Sequence, residues 1–120
     1  MGGHSAGGGT TINAALGLKA PVAAIFPLSP GGVLFDVTRM RHASEVPPTL
    51  LVASQNDEPA ILEGIPRLVR NLEAAQPSFE FVWVPGFGHF YPTGAVTLGD
   101  NGTRMSVGER LVEFLDDQLR

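Results

Sequence analysis

The sequence predicts an α/β fold of about three parallel strands with helices on both faces. Three observations carry that expectation. Short apolar runs at 20–28, 49–53 and 79–84 lack clean alternation, which suits strands buried on both faces. Helical patterns lie between and around those runs. The resulting order is helix, strand, loop, strand, helix, strand, loop, helix, and such alternation implies parallel strands joined by right-handed crossovers.

Each element has its own local signal. Residues 5–18 place Ile12, Ala15 and Leu16 at helical spacing. The run at 20–28 has turn residues on both sides, and a connector rich in Gly and Pro follows at 29–48, with a short helical turn expected around 37–41. After the run at 49–53, Pro66 is suited to the first turn of a helix, and Leu68, Val69, Leu72 and Ala75 then fall on one face. Glu80 interrupts the run at 79–84, so that strand is expected to have one face partly open. A second long loop spans 86–104, with Asp100-Asn101-Gly102 reading as a tight turn. Ser106 and Glu109 form a Ser-x-x-Glu capping box, and Val107, Leu111, Phe114, Leu115 and Leu119 supply the apolar stripe of a closing helix.

Composition narrows the function classes. A chain of 120 residues allows one domain, and 43% hydrophobic residues exclude a disordered one. The 15 glycines and 10 prolines follow no Gly-X-Y period, which excludes collagen. A net charge of −4 with no Lys/Arg cluster argues against nucleic acid as a partner. The absence of cysteine removes disulfides, thiolate metal sites and a Cys nucleophile. No apolar run approaches the roughly 18 residues of a membrane span. Residues 1–11 show no basic-then-apolar leader, so the expected location is the cytoplasm.

The chemistry begins at Gly3-His4-Ser5-Ala6-Gly7, a Gly-x-Ser-x-Gly pentapeptide. A serine on a sharp strand-to-helix turn needs small residues two before and two after it, where neighbouring backbone crowds the chain. The helix that follows points its N-terminus at the site and favours a developing anion there. The Ala6 N–H is the expected oxyanion donor. A phosphate-binding loop is excluded because no Lys follows the glycines, and the dinucleotide pattern fails because Ile12 stands where its third Gly belongs.

Two further segments supply an acid and a base. Asp57 follows the run at 49–53, and carboxylates at the carboxyl end of a parallel strand face the ligand crevice. Glu58 is the alternative acid, and an Asp in this position also serves as a turn former or helix cap. His89 follows the run at 79–84, within Pro85-Gly86-Phe87-Gly88-His89. The order Ser5, Asp57, His89 is the one expected after a Gly-x-Ser-x-Gly turn. His4 reads as a packing or hydrogen-bonding residue and His42 as a solvated loop histidine, and the three histidines lack metal-ligand spacing. Phe87, Phe90 and Tyr91 flank the base, either as loop anchors or as the lining of an acyl or alcohol pocket. Asn101-Gly102-Thr103 matches a glycosylation sequon as well as a turn.

With these three motifs and the closing helix, the chain resembles the carboxyl-terminal half of the α/β-hydrolase family, nearest to its dienelactone-hydrolase-like and small carboxylesterase members. The resemblance implies a partial α/β-hydrolase domain over 1–120, starting at the serine turn. It also implies a serine esterase acting through Ser5, His89 and Asp57 on a small-molecule ester, with no cofactor and no metal. Amide hydrolysis by the same residues stays open, whereas Ser5 at the turn argues against dehalogenase and epoxide-hydrolase chemistry, which resembles enzymes with Asp there. Members of the family place several strands, and a loop with a second oxyanion N–H, before the serine. Only Met1 and Gly2 precede the pentapeptide here. The expected partner is therefore a second copy or a complementing amino-terminal fragment, and the alternative function is a non-catalytic remnant or interaction module.

Overall fold

Thr49–Ser54 is buried along its whole length, and the rest of the molecule is arranged around it. The computed structural model describes residues 1–18, 22–33, 46–75, 78–98 and 104–118. Four strands form one parallel sheet in the order β1-β2-β3-β4: β1 (Gly2–His4), β2 (Phe26–Leu28), β3 (Thr49–Ser54) and β4 (Phe79–Val84). The register aligns His4 with Leu28, Leu28 with Val52, and Ser54 with Val84, so the strands' carboxyl ends share one edge of the molecule. A short antiparallel ribbon, β5 (Val96–Thr97) with β6 (Met105–Ser106), lies beside β4 through a Trp83–Leu98 bridge.

Side-chain alternation along β3 divides the core between the two faces of the sheet. Leu51 and Ala53 join Ile12, Leu16, Ile25, Ile61, Ile65, Leu68 and Leu72, which come largely from α1 (Ala6–Ile12) and its extension and from α2 (Pro59–Ala75). Leu50 and Val52 join Val82, Val84, Val107 and Phe114, with Leu111 and Leu115 of α3 (Val107–Gln118) packed beside them. Helices therefore cover both faces, as the apolar runs require. Among the described residues, no helix is long and apolar enough to cross a membrane.

The fold departs from the sequence expectation at several places. It has four strands rather than three, because Gly2-Gly3-His4 pairs with β2. Two glycines and a histidine carry no strand propensity, so pairing alone makes this strand. The strand expected at 20–28 is confined to Phe26–Leu28, with a single bridge from Ile25 to Thr49 ahead of it. Finally, α2 begins at Pro59, about two turns before Pro66, which lies inside the helix. Pro59 takes the first-turn position, where a missing N–H costs nothing. The buried stripe Ile61, Ile65, Leu68 and Leu72 carries the helix through Pro66, which faces solvent.

The first helix covers most of the expected span. α1 passes into a π-helical turn at Asn13–Gly17, closed by the Leu18 N–H donating to the Asn13 carbonyl at 3.0 Å. The capping box of α3 is formed: the Glu109 N–H reaches Ser106 Oγ at 3.1 Å and the Ser106 N–H reaches Glu109 Oε1 at 3.2 Å. Glu80 is exposed on β4, and its carboxyl is held above the usual range by partial desolvation and by Glu113 and Asp117 of α3, against a smaller opposing pull from Arg110. The helical turn at 37–41, His42, the turn at 100–102, the sequon at 101–103, residues 20–21, the Ala75 side chain and Leu119 lie outside what the structure describes.

Candidate active site

Ser5 joins β1 to α1 at φ 58° and ψ −118°, a conformation that a residue with a side chain rarely adopts. Backbone bonds hold it there. The Ser5 N–H donates to the Leu28 carbonyl at 2.9 Å, and its own carbonyl accepts from Gly9 at 3.1 Å and Gly31 at 2.9 Å. This turn needs close approach at two glycines. A Cβ on Gly3 would lie 2.5 Å from the Gly7 carbonyl group, and one on Gly9 would lie 1.6 Å from the Gly31 oxygen. Gly7 differs from expectation, since a Cβ there would meet nothing within 4 Å. The crowding around Gly7 falls on its backbone, from Gly3, rather than on its own side-chain position.

The loops after β3 and β4 deliver two more groups to the same edge. His89 Nδ1 lies 2.6 Å from Asp57 Oδ1, and His89 Nε2 lies 2.7 Å from Ser5 Oγ. A carboxylate only accepts, so Nδ1 carries the hydrogen and Nε2 is left to accept from the Ser5 hydroxyl. The His89 side chain is 8% exposed and that of Asp57 0%. Burial raises the Asp57 pKa, but the Ser29 hydroxyl, the Glu58 N–H at 2.9 Å and His89 together outweigh it and hold the carboxyl below its ordinary 3.8. The structure thus brings Ser5, His89 and Asp57 into one hydrogen-bonded row.

No family model and no curated protein matches the chain. Solved structures do match it. One is a CIB-like hydrolase from Thermoplasma acidophilum, with 25% identity, a TM-score of 0.55, and 73% of this chain covered against 40% of that one. A second is esterase PE8, with 20% identity, a TM-score of 0.64, and 98% of this chain covered against 48% of that one. A third is a variant of SOBER1 from Arabidopsis thaliana, with 22% identity, a TM-score of 0.64, and 99% of this chain covered against 52% of that one. The chain has a partial α/β-hydrolase fold. It spans about half the length of the solved structures it matches, between 40% and 52%.

Within this partial α/β-hydrolase fold the remaining sequence candidates fall at definite places. Ala6 is the first residue of α1, and an N–H in that position lies outside the intrahelical ladder. Phe87 and Phe90 are exposed, at 40% and 76%. Phe90 stands with its ring centroid 5.0 Å from that of His89 and 5.3 Å from that of His4. Tyr91 is half-buried, packs against the core beneath the site, and places its hydroxyl 2.9 Å from Ser29 Oγ. His4 Nε2–H donates to the His89 carbonyl at 2.7 Å, so His4 ties the serine turn to the histidine loop. Glu58 is exposed and contributes its backbone N–H to Asp57. Among the described residues, no group of three or more His, Asp or Glu is arranged to hold a metal ion.

Two residues at this edge carry no motif. Ser29 follows β2 directly, is 0% exposed and sits at φ 44°. Ser54 ends β3, and its hydroxyl donates to the Phe87 carbonyl and accepts from the Asn56 N–H at 3.2 Å, which fastens the histidine loop to the central strand. Both serines stand at the carboxyl end of an apolar run. That position in a parallel sheet is the one sequence signal that marks them.

Proposed function

We propose that the chain is a serine hydrolase that cleaves carboxylic esters through an acyl-enzyme. The single observation that carries this reading is His89 set between Ser5 Oγ at 2.7 Å and Asp57 Oδ1 at 2.6 Å. Ser5 attacks the ester carbonyl while His89 Nε2 takes the hydroxyl proton. Asp57 holds the imidazole in the Nδ1–H tautomer and stabilises the imidazolium that forms. The negative oxygen of the tetrahedral intermediate is met by the Ala6 N–H and by the N-terminus of α1. His89 then protonates the leaving alcohol, and water, activated by the same nitrogen, releases the acid. The exposed rings of Phe87 and Phe90, with Tyr91 behind them, line the approach for small to medium acyl esters. The reading calls for no cofactor. Its support from other proteins is the esterase and hydrolase names of structures that share the fold.

A second reading is a non-catalytic interaction module completed by another chain. The open edge of β1 favours it, since among the described residues no strand pairs with that side. A fluorophosphonate probe separates the two readings. Under the esterase reading, mass spectrometry finds the adduct on Ser5, and Ser5→Ala removes the adduct and lowers p-nitrophenyl ester turnover by about 10⁴-fold or more. A wild-type chain that takes no adduct, or a Ser5→Ala variant that keeps full turnover, overturns the esterase reading.

A further inference from the structure

His89 is placed by groups outside its own loop. Residues 85–90 form no helix or strand, and Gly86 and Gly88 stand on either side of Phe87, with Gly86 at φ 82°. Among the described residues, the main chain of 86–90 makes no backbone–backbone hydrogen bond. Two side chains hold it instead. Ser54, at the end of the strand that leads to Asp57, donates to the Phe87 carbonyl. His4 Nε2–H donates to the His89 carbonyl at 2.7 Å. A carbonyl only accepts, so His4 carries its hydrogen on Nε2.

His4 and Ser5 are consecutive, and they grip the same residue at two points. Ser5 Oγ lies 2.7 Å from His89 Nε2, while His4 holds the His89 main chain. The His4 ring also lies against three successive rings of the loop, with centroid distances of 4.8 Å to His89, 5.3 Å to Phe90 and 5.6 Å to Tyr91. We propose that His4 is a positioning residue that registers the base His89 to the nucleophile Ser5, on the reading of the site as a serine hydrolase. One dipeptide at the end of β1 then sets both groups. Drift of the loop away from β1 is resisted at the His89 carbonyl before it opens the Ser5–His89 bond.

This role is kinetic, since a misplacement of about 1 Å between reacting groups costs roughly 10²-fold in rate. The Ser54 anchor makes it separable from folding. With His4 altered, the loop stays fastened to β3 at Phe87, and only the end that carries His89 is released. The ring contacts and the hydrogen bond of His4 are also separable by substitution. His4→Phe keeps a ring against His89, Phe90 and Tyr91 and removes the donor. His4→Gln gives up the ring and keeps an N–H at the reach of Nε2, whereas the shorter amide of His4→Asn falls short of the carbonyl.

The test compares wild type with these three variants in the full chain. Fluorophosphonate labelling of Ser5 is expected to slow about ten- to a hundred-fold in His4→Phe and His4→Asn, with most of the rate regained in His4→Gln. In p-nitrophenyl ester turnover the loss falls on kcat, and KM stays within about two-fold of wild type. The proton NMR signal of His89 Nδ1–H is expected at the wild-type position in His4→Gln. In His4→Phe it moves upfield and broadens as the bond to Asp57 loosens. Faster labelling in His4→Phe than in His4→Gln assigns His4 to ring packing and overturns the proposal. A KM that rises at unchanged kcat also overturns it, since His4 then belongs to the approach to the site. Should His4→Phe fail to fold, the two amide variants decide, and equal labelling rates in His4→Gln and His4→Asn overturn the proposal. A wild-type chain that takes no label overturns the hydrolase reading instead, and the Nδ1–H signal across the variants then decides whether His4 places His89.

Discussion

Ser5 occupies a strained turn because glycines on either side let two stretches of backbone meet. The sequence pattern around Ser5 is legible for that reason: a Cβ at Gly3 has nowhere to go. Gly9 is less legible, since its constraint comes from Gly31, which is distant in sequence. Ser29 is marked only by its place after β2, because nothing local says that a serine there will meet the hydroxyl of Tyr91. The difference among glycines can be measured. Gly9→Ala drives a Cβ into the Gly31 carbonyl and is expected to destabilise the chain by about 3 kcal/mol or more. Gly64 lies in the interior of α2, exposed, with nothing within 4 Å of a Cβ placed there. Gly64→Ala is expected to stabilise by about 0.5–1 kcal/mol. Urea unfolding of the two variants reads both signs, and a neutral Gly9→Ala would show that the α1 contact with Gly31 is looser than its geometry demands.

At the scale of elements, the strands that were legible are those whose side chains do the packing. β3 and β4 send alternate residues into two cores, and their apolar runs announce them. β1 is made by its hydrogen bonds to β2 rather than by its side chains, so its three residues leave no pattern to read. α2 is the opposite case, in which a local signal misleads. Pro66 reads as a helix start, yet four buried residues spaced along one face hold the helix together through it. A proline inside a helix removes one backbone bond and crowds the carbonyl four residues earlier, at a cost near 3 kcal/mol relative to Ala. Part of that cost is already absorbed here by packing on the opposite face. Pro66→Ala is accordingly expected to stabilise the chain by about 1–3 kcal/mol, with the urea midpoint rising and the site unaffected. A fall in stability would mean that a bend at Pro66 is needed to seat Ile61 and Ile65 against the sheet.

The whole molecule has two different sheet edges, and the proposed site stands beside the barer one. On the β4 side, Trp83 and Leu98 exchange backbone bonds of 3.0 and 2.7 Å, and the β5-β6 ribbon follows. On the β1 side, no described strand pairs, and β1 is the strand that feeds Ser5. Among the described residues, the serine turn is therefore supported by a neighbouring strand on one flank. This arrangement also leaves the Ala6 N–H as the one individual oxyanion donor that the proposed mechanism names beside the N-terminus of α1, where a second donor is worth about 10²–10³ in rate. A chain that docks along β1 would both stiffen the turn and bring backbone N–H groups near the oxyanion. The expected consequence is kinetic: labelling of Ser5 per chain rises with chain concentration, in step with association followed by sedimentation. Addition of an amino-terminal fragment that pairs with β1 is expected to raise the rate at fixed concentration in the same way. A labelling rate per chain that stays flat while the chain sediments as a monomer would mean that Ala6 and the N-terminus of α1 suffice, and that the open edge of β1 plays no part in the chemistry.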